Sequence, residues 1–259
     1  MPRLIAHLSD LHFGTEIPEV VAALAEDITA LKPDLVAVSG DLTQRAHHHE
    51  FEAAMAFLRA LPAPFMAVPG NHDITQHDLV ERFTDPYRRW RRHVGPDPEP
   101  VWQEEEVAVV GLNTARRMQP HLKWQEGRVG RTRLERAEAR LAAVPQGVAR
   151  IVVAHHPFNA PTLAPQAEPV MGARRALASF ARHGVKAVLT GHLHLPDLIA
   201  TRHQGVLLVH AATATSHRLR GQPNAWNLIR TAPGAEPLVT TRIWNGTAWR
   251  DAEAPVTVA

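Results

Sequence analysis

The chain has 259 residues and no cysteine, so neither a disulfide framework nor a thiolate metal site is available to it. With 45% hydrophobic and 21% charged residues and a formal net charge of +2, it reads as an ordinary globular chain without the basic excess of a nucleic-acid binder. No apolar run approaches the ~18 residues of a membrane span, and 17 histidines are many for this length, which directs attention to a metal held by nitrogen and oxygen.

Met1-Pro2-Arg3 leads at once into a strand-like run and lacks the pattern of a signal peptide, so a cytoplasmic location is expected. Leu4 to Leu8 predicts a buried strand that ends at Ser9-Asp10-Leu11-His12. Val20, Val21, Leu24, Ile28 and Leu31 then recur at helical spacing, between Pro18, which suits a helix start, and Pro33, which stops it. Leu35 to Val38 predicts a second strand, ending at Gly40-Asp41. Phe51, Met55 and Leu58 mark a second helix, closed by Pro62. Phe65 to Val68 predicts a third strand, ending at Pro69-Gly70-Asn71-His72-Asp73, where the glycine permits a tight turn and three polar side chains crowd one small volume. The alternation of short apolar strands with helices predicts a parallel sheet with right-handed crossovers. Ligand sites in such sheets lie beyond the carboxyl ends of the strands, where Asp10, Asp41 and Asn71 stand.

The middle is less regular. His77 to His93 reads as one or two short helices, with Arg88, Arg89, Arg91 and Arg92 on a solvated face and Tyr87 or Trp90 packed inward. Val107 to Leu112 predicts a strand running into Asn113-Thr114. Residues 115 to 131 read as an extended loop with Arg116, Arg117, His121 and Lys123, able to overhang a site. Thr132-Arg133-Leu134-Glu135 matches a capping box and predicts a helix start there, continued by Ala137 and Leu141 to Pro145. Ile151 to Ala154 predicts a strand ending at His155-His156-Pro157, followed by a proline-rich wall or lid to Pro169. Leu177 and Phe180 sit on a helix stopped at His183-Gly184, and Ala187 to Leu189 predicts a strand ending at Gly191-His192-Leu193-His194. After that only strands are expected: Val206 to Val209, Asn227 to Thr231 and Leu238 to Trp244, read as an antiparallel continuation that completes a second sheet. Asp251 to Ala259 reads as a frayed tail, and no linker divides residues 1–259 into separate domains. His47, His48 and His49 read as a solvated helix start, and Trp226, Trp244 and Trp249 as core or interface.

Five of these runs end in metal-ligand side chains: Asp10 and His12, Asp41, Asn71 and His72, His155 and His156, His192 and His194. One aspartate after a strand is usually a turn former, and one buried histidine is usually a core residue; five such coincidences point to a metal site. Asp-x-His and His-x-His spacing in an extended chain places both side chains on one side. The oxygen and imidazole set suits Mn²⁺, Fe²⁺/Fe³⁺, Zn²⁺, Co²⁺ or Ni²⁺. Its size exceeds what one ion takes from side chains, and a central carboxylate such as Asp41 can bridge two.

Asp10-Leu-His12, Gly40-Asp41, Gly70-Asn71-His72-Asp73, His155 and Gly191-His192-Leu-His194 resemble, in order, the signature of the calcineurin-like metallophosphoesterases. Ser9-Asp10-Leu11-His12 and Val152-Val153-Ala154-His155-His156-Pro157 are most similar to the small bacterial branch with class III cyclic-nucleotide phosphodiesterases and glycerophosphodiesterases. The resemblance implies an α/β fold, a four-layer α/β/β/α sandwich of two mixed sheets. It implies that Asp10, His12 and His194 hold a first metal, that Asn71, His155 and His192 hold a second, and that Asp41 bridges them. By the same resemblance His155 is preferred over His156, which becomes outer-shell or substrate-facing. His72 is then placed to stabilise the transition state or protonate the leaving alkoxide. Asp73 either orients His72 or serves the turn.

The expected function is a phosphodiesterase that uses two metal ions to activate a water for in-line attack on a small phosphodiester such as a 3′,5′-cyclic nucleotide. A phosphomonoesterase, or a glycerophospho- or lipid-linked phosphodiesterase, on the same site stays open, with Arg116 and Arg117 as candidate substrate contacts. A scaffold that has lost its metals would lack some of the ligand residues, and none is missing. No nucleic-acid partner is expected, and a homodimer through the Arg88–Arg92 helix or the C-terminal strands stays open.

Overall fold

The computed structural model describes residues 2–118, 125–196 and 201–252. His121 and Lys123 of the expected overhanging loop, and most of the expected tail, lie outside the described residues.

The first half builds β1 (Arg3–Leu8), α1 (Pro18–Leu31), β2 (Leu35–Val38), α2 (His48–Ala60) and β3 (Phe65–Ala67), with β1, β2 and β3 parallel neighbours as the alternation predicts. Pro18 stands at the start of α1, where its missing N–H leaves nothing unpaired. Two short helices follow, α3 (Leu79–Thr84) and α4 (Arg88–His93), and the indole of Trp90 is fully buried beneath the arginines of α4. A short β4 (Val101–Gln103), too exposed to leave an apolar run, precedes β5 (Val107–Leu112). Then come α5 (Arg131–Ala143), β6 (Ala149–Ala154), α6 (Ala173–Arg182) and β7 (Val185–Thr190). The expected capping box is not formed. The cap of α5 is Gly130, Thr132 lies inside the first turn, and Glu135 pairs with Arg131 instead.

The last strands are β8 (Thr201–His203), β9 (Val206–His210), β10 (Ala225–Thr231), β11 (Leu238–Trp244) and β12 (Trp249–Asp251). One sheet has the order β12-β11-β10-β1-β2-β3 and the other β4-β5-β6-β7-β9-β8. Here the sequence reading is corrected. The antiparallel strands β10 to β12 extend the first sheet beside β1, whereas β9 lies parallel to β7 in the second. Strand content alone does not say which edge a late strand joins.

The layers follow from the period-two alternation of side chains along buried strands. Ile5, Leu35, Ala37 and Val68 of the first sheet meet Val109, Ile151, Val153, Leu189 and Val209 of the second in one apolar cluster between the sheets. Their sequence neighbours Ala6, Leu8, Val36 and Val38 face the other way and pack on Leu24, Ile28, Phe51 and Leu58 of α1 and α2. Val110, Val152 and Val188 do the same against Leu134, Leu141, Leu177 and Phe180 of α5 and α6. Three cores thus separate four layers, α/β/β/α. Both sheets send the carboxyl ends of their central parallel strands to one rim.

Candidate metal centre

At that rim the backbone turns sharply after each strand. Eight described non-glycine residues have positive φ, and five of them are Asp10 (52°), His12 (47°), Asp41 (52°), His192 (74°) and His194 (58°). Left-handed backbone is unfavourable for residues with a Cβ and collects where a site needs it. Asp-x-His and His-x-His therefore converge through left-handed turns, not through the extended chain their spacing suggested.

Space is as tight as the backbone. A Cβ on Gly191 would lie 1.8 Å from Ser9 Oγ and 2.4 Å from Asp10 Oδ2, and one on Gly70 would lie 2.0 Å from Asp41 Oδ1. Gly70 is needed for close approach and not for a left-handed turn, since its φ is not positive. Main-chain bonds lock the turns together: Asp10 N to Gly40 O and His12 N to Asp41 O at 3.0 Å each, and Gly191 N to His155 O at 3.0 Å.

Two groups of ligand atoms result, sharing one carboxylate. In the first, His194 Nε2 lies 3.2 Å from Asp10 Oδ1 and 3.1 Å from His12 Nε2. In the second, His155 Nε2 lies 3.2 Å from Asn71 Oδ1 and 3.3 Å from His192 Nδ1. Asp41 stands between them, with Oδ2 3.3 Å from His155 Nε2 and 3.8 Å from His12 Nε2. The distal imidazole nitrogens are tied back, His155 Nδ1 to Ser39 O at 2.8 Å and His194 Nδ1 to Arg218 O at 2.9 Å, which turns each Nε2 toward the centre.

The electrostatics show what such a set requires. Burial alone would raise the proton affinity of Asp10 and Asp41, yet the surrounding histidines hold both below the ordinary carboxylate range. For His155, burial disfavours the charged ring, but the charge and hydrogen bond of Asp41 prevail and raise its pKa to about 9. Burial and the nearby His155 push His192 down to about 3. The fit to cations is direct: Asp10 Oδ1 is buried with no hydrogen-bond donor, and around it lone-pair donors face one another at close range. Seven donor side chains from the ends of five strands in two sheets suit a pair of ions better than one.

The remaining predicted residues are placed as follows. His72 stands edge-on to His12 with ring centroids 4.8 Å apart. Its Nδ1 donates to Gln44 O at 2.6 Å, and its Nε2 lies 2.9 Å from Arg218 Nη1. Asp73 does not touch His72. It accepts from Leu42 N, Thr43 N, Thr43 Oγ1 and Gly70 N, and so clamps the turn after β2 to the turn after β3. Both ring nitrogens of His156 are engaged, Nδ1 2.8 Å from Thr114 Oγ1 and Nε2 2.7 Å from Gln125 O, while the ring lies 4.6 Å from that of His192 and offers a nitrogen to the same group of ligand atoms as His155 and His192. Arg116 and Arg117 line a separate cavity of about 550 Å³ with Arg128, Arg131 and Arg133, whose lining includes none of the clustered ligand residues.

Sequence reasoning missed Ser9, Gln44 and Arg218. Ser9 was signalled by its position, and its hydroxyl donates to Asp10 Oδ2 at 2.6 Å. Gln44 and Arg218 lie in loops whose course no local pattern reveals.

The profile of the family described as "Calcineurin-like phosphoesterase" matches residues 3–196. A glycerophosphodiester phosphodiesterase of Enterobacter lignolyticus is 36% identical over 81 residues, which is 27% of this chain and only 29% of that protein. A protein of Synechococcus named "Probable cyclic nucleotide phosphodiesterase" is 26% identical over 250 residues, covering 90% of this chain and 89% of that one. Among solved structures, purple acid phosphatase from yellow lupin shares the fold with a TM-score of 0.70 at 13% identity, over 97% of this chain and 53% of that one. With the profile extending over most of its length, this chain belongs to the calcineurin-like phosphoesterases, a family of metal-dependent phosphoester hydrolases.

Proposed function

We propose that the protein is a phosphodiesterase acting on small diesters, with a 3′,5′-cyclic nucleotide as the leading substrate and glycerophosphodiesters as the second reading. The observation that carries the diesterase reading is the charge around the centre. The cavity of about 230 Å³ beside His156 and His192 is lined by Glu126 and Glu168, while the cluster of Arg116, Arg117, Arg128, Arg131 and Arg133 lines a different cavity. One guanidinium beside the centre, that of Arg218 next to His72, suits the single negative charge of a diester with a neutral group in the small cavity, whereas a dianionic monoester calls for further cations near its phosphoryl oxygens. The names of the Enterobacter and Synechococcus relatives support the same class.

Asp10, His12 and His194 would hold one ion, Asn71, His155 and His192 the other, and Asp41 both. The ions would be Mn²⁺, Fe²⁺/Fe³⁺ or Zn²⁺. When bound, such a pair lowers the pKa of a water and draws off charge from phosphoryl oxygens. The protein's own groups do the rest. In the hydrolysis, water oxygen forms the new P–O bond, one ester P–O bond breaks, and the departing alkoxide takes a proton to leave an alcohol and a monoester. His72 would serve the leaving alkoxide through Nε2, stabilising it or passing on to it a proton given up by the attacking water, since Gln44 O fixes the ring through Nδ1. Ser39 O and Arg218 O hold the His155 and His194 rings so that neither can rotate out when a substrate enters.

Chelator-stripped protein reconstituted with Mn²⁺ is expected to hydrolyse bis(p-nitrophenyl) phosphate with a kcat/KM at least about tenfold above that for p-nitrophenyl phosphate, and then 3′,5′-cAMP ahead of glycerophosphocholine. A preference for the monoester would overturn the diesterase reading. A preference for the glycerophosphodiester would leave the diesterase class standing and replace the substrate.

A further inference from the structure

We infer that Arg218 is a catalytic residue: its guanidinium binds the phosphoryl oxygens of the substrate. This rests on the phosphoesterase reading above. The loop between β9 and β10 is built to hold Arg218 at the centre. Thr213 Oγ1 donates to Asp10 O at 2.6 Å, Thr215 Oγ1 to Leu11 O at 2.7 Å, and Ala214 N to Ser9 O at 3.0 Å. Asn224 Nδ2 donates to Thr213 O and Ser216 O and closes the loop from its other end. The loop is therefore laced to the same Ser9–Leu11 turn that carries Asp10, and the main-chain oxygen of Arg218 itself accepts from His194.

The guanidinium is placed but underused. Its side-chain bonds all run through Nη1, to His72 Nε2 at 2.9 Å and Gln44 Oε1 at 3.3 Å, neither of them a carboxylate. Among the described residues no carboxylate pairs with it, and Nε and Nη2 make no hydrogen bond. A guanidinium presents five N–H donors in a planar fork that matches two oxygens of a phosphate. Here the free edge of that fork stands half-buried next to a site for phosphoryl transfer. An arginine left without a carboxylate partner at such a place is matched by an incoming anion.

The contact with His72 fixes where the guanidinium rests: His72 Nδ1 donates to Gln44 O, so Nε2 accepts from Arg218 and holds the fork beside the His12 ring.

The test uses Arg218→Ala, Arg218→Lys and Arg218→Gln in the Mn²⁺-loaded protein, with Arg220→Ala on the exposed part of the same loop as control. Arg218→Ala is expected to lower kcat/KM for bis(p-nitrophenyl) phosphate by about 10²–10³-fold, the range for loss of one transition-state donor group. Metal content should match wild type. Arg218→Lys should recover part of the loss, and added guanidinium chloride should restore Arg218→Ala at least about tenfold. Binding of inorganic phosphate by calorimetry should weaken about tenfold or more in Arg218→Ala and Arg218→Gln and stay unchanged in Arg220→Ala. Unchanged phosphate affinity in both Arg218 variants overturns the inference, whether or not the rate falls. A rate loss that guanidinium does not rescue, or a loss of bound metal, also overturns it. A wild-type protein with no metal-dependent turnover would instead sink the phosphoesterase reading, and the phosphate-binding arm would still decide whether Arg218 holds the anion.

Discussion

Replacing Asp41 by asparagine is expected to lower kcat/KM toward bis(p-nitrophenyl) phosphate by about 10⁴-fold, a loss of about 5 kcal/mol in transition-state stabilisation at 1.36 kcal/mol per decade. The reason is position. Asp41 approaches both ligand groups, with Oδ2 3.3 Å from His155 Nε2 and 3.8 Å from His12 Nε2. Removal of its charge leaves each group without its shared anion, so metal content should fall below two ions per chain. The change is nearly isosteric, and Asn Oδ1 can still accept from His72 N, which Asp41 Oδ1 does at 2.8 Å. The turn after β3 should therefore persist, and circular dichroism should match wild type. Full metal content with activity within tenfold of wild type would show that Asp41 does not bridge.

The second large effect is on stability and its pH dependence. A ligand that binds only the native state at about 1,000 times its Kd stabilises it by about 4 kcal/mol, and for a chain of this size each kcal/mol moves Tm by roughly 2–4 °C. Chelation should then lower Tm by about 8–16 °C at neutral pH. Once chelated, the fold alone would have to hold the facing donor atoms and left-handed turns together. His155 sets the pH dependence. Its pKa is raised from 6.5 to about 9, so a proton on it stabilises the metal-free fold. That contribution is complete below 6.5 and is lost as pH rises through 9. A cation at the same nitrogen must displace that proton, so its apparent affinity should rise about tenfold per unit between pH 7 and 9 and level off above. The Tm gap between loaded and chelated protein should widen over that window. Isothermal titration at pH 7, 8 and 9 checks the slope; a flat profile would show that His155 takes no part in holding the ion.

Much of this was written in the sequence because short buried strands are locally encoded. The apolar runs at Leu4, Leu35, Phe65, Val107, Ile151 and Ala187 each end in a polar residue at a strand terminus, and the parallel topology brings those termini to one rim. What stayed hidden depends on contacts made far away in the chain. Whether β10 joins the first sheet or the second is decided by pairing of Ile229 with Ile5, a choice between two edges that period-two alternation leaves equal. For Asp73 the sequence left two roles open, orienting His72 or serving the turn, and the second holds, because the turn after β2 delivers three donors to it that lie 30 or more residues earlier. Arg218 is brought to His72 across 146 residues by a loop held through threonine hydroxyls, and nothing in its immediate neighbours announces that. The capping-box match at Thr132 failed because a glycine two residues earlier already provides the extended cap residue that α5 starts from.

The central claim is that two cations share the rim of this sandwich, and anomalous X-ray scattering from crystals of the Mn²⁺-loaded protein tests it most directly. The account predicts two peaks per chain about 3.5–4 Å apart. One should be ringed by Asp10, His12, His194 and Asp41, the other by Asp41, Asn71, His155 and His192. A single peak, or a peak coordinated by His72 or His156 in place of these, would contradict it.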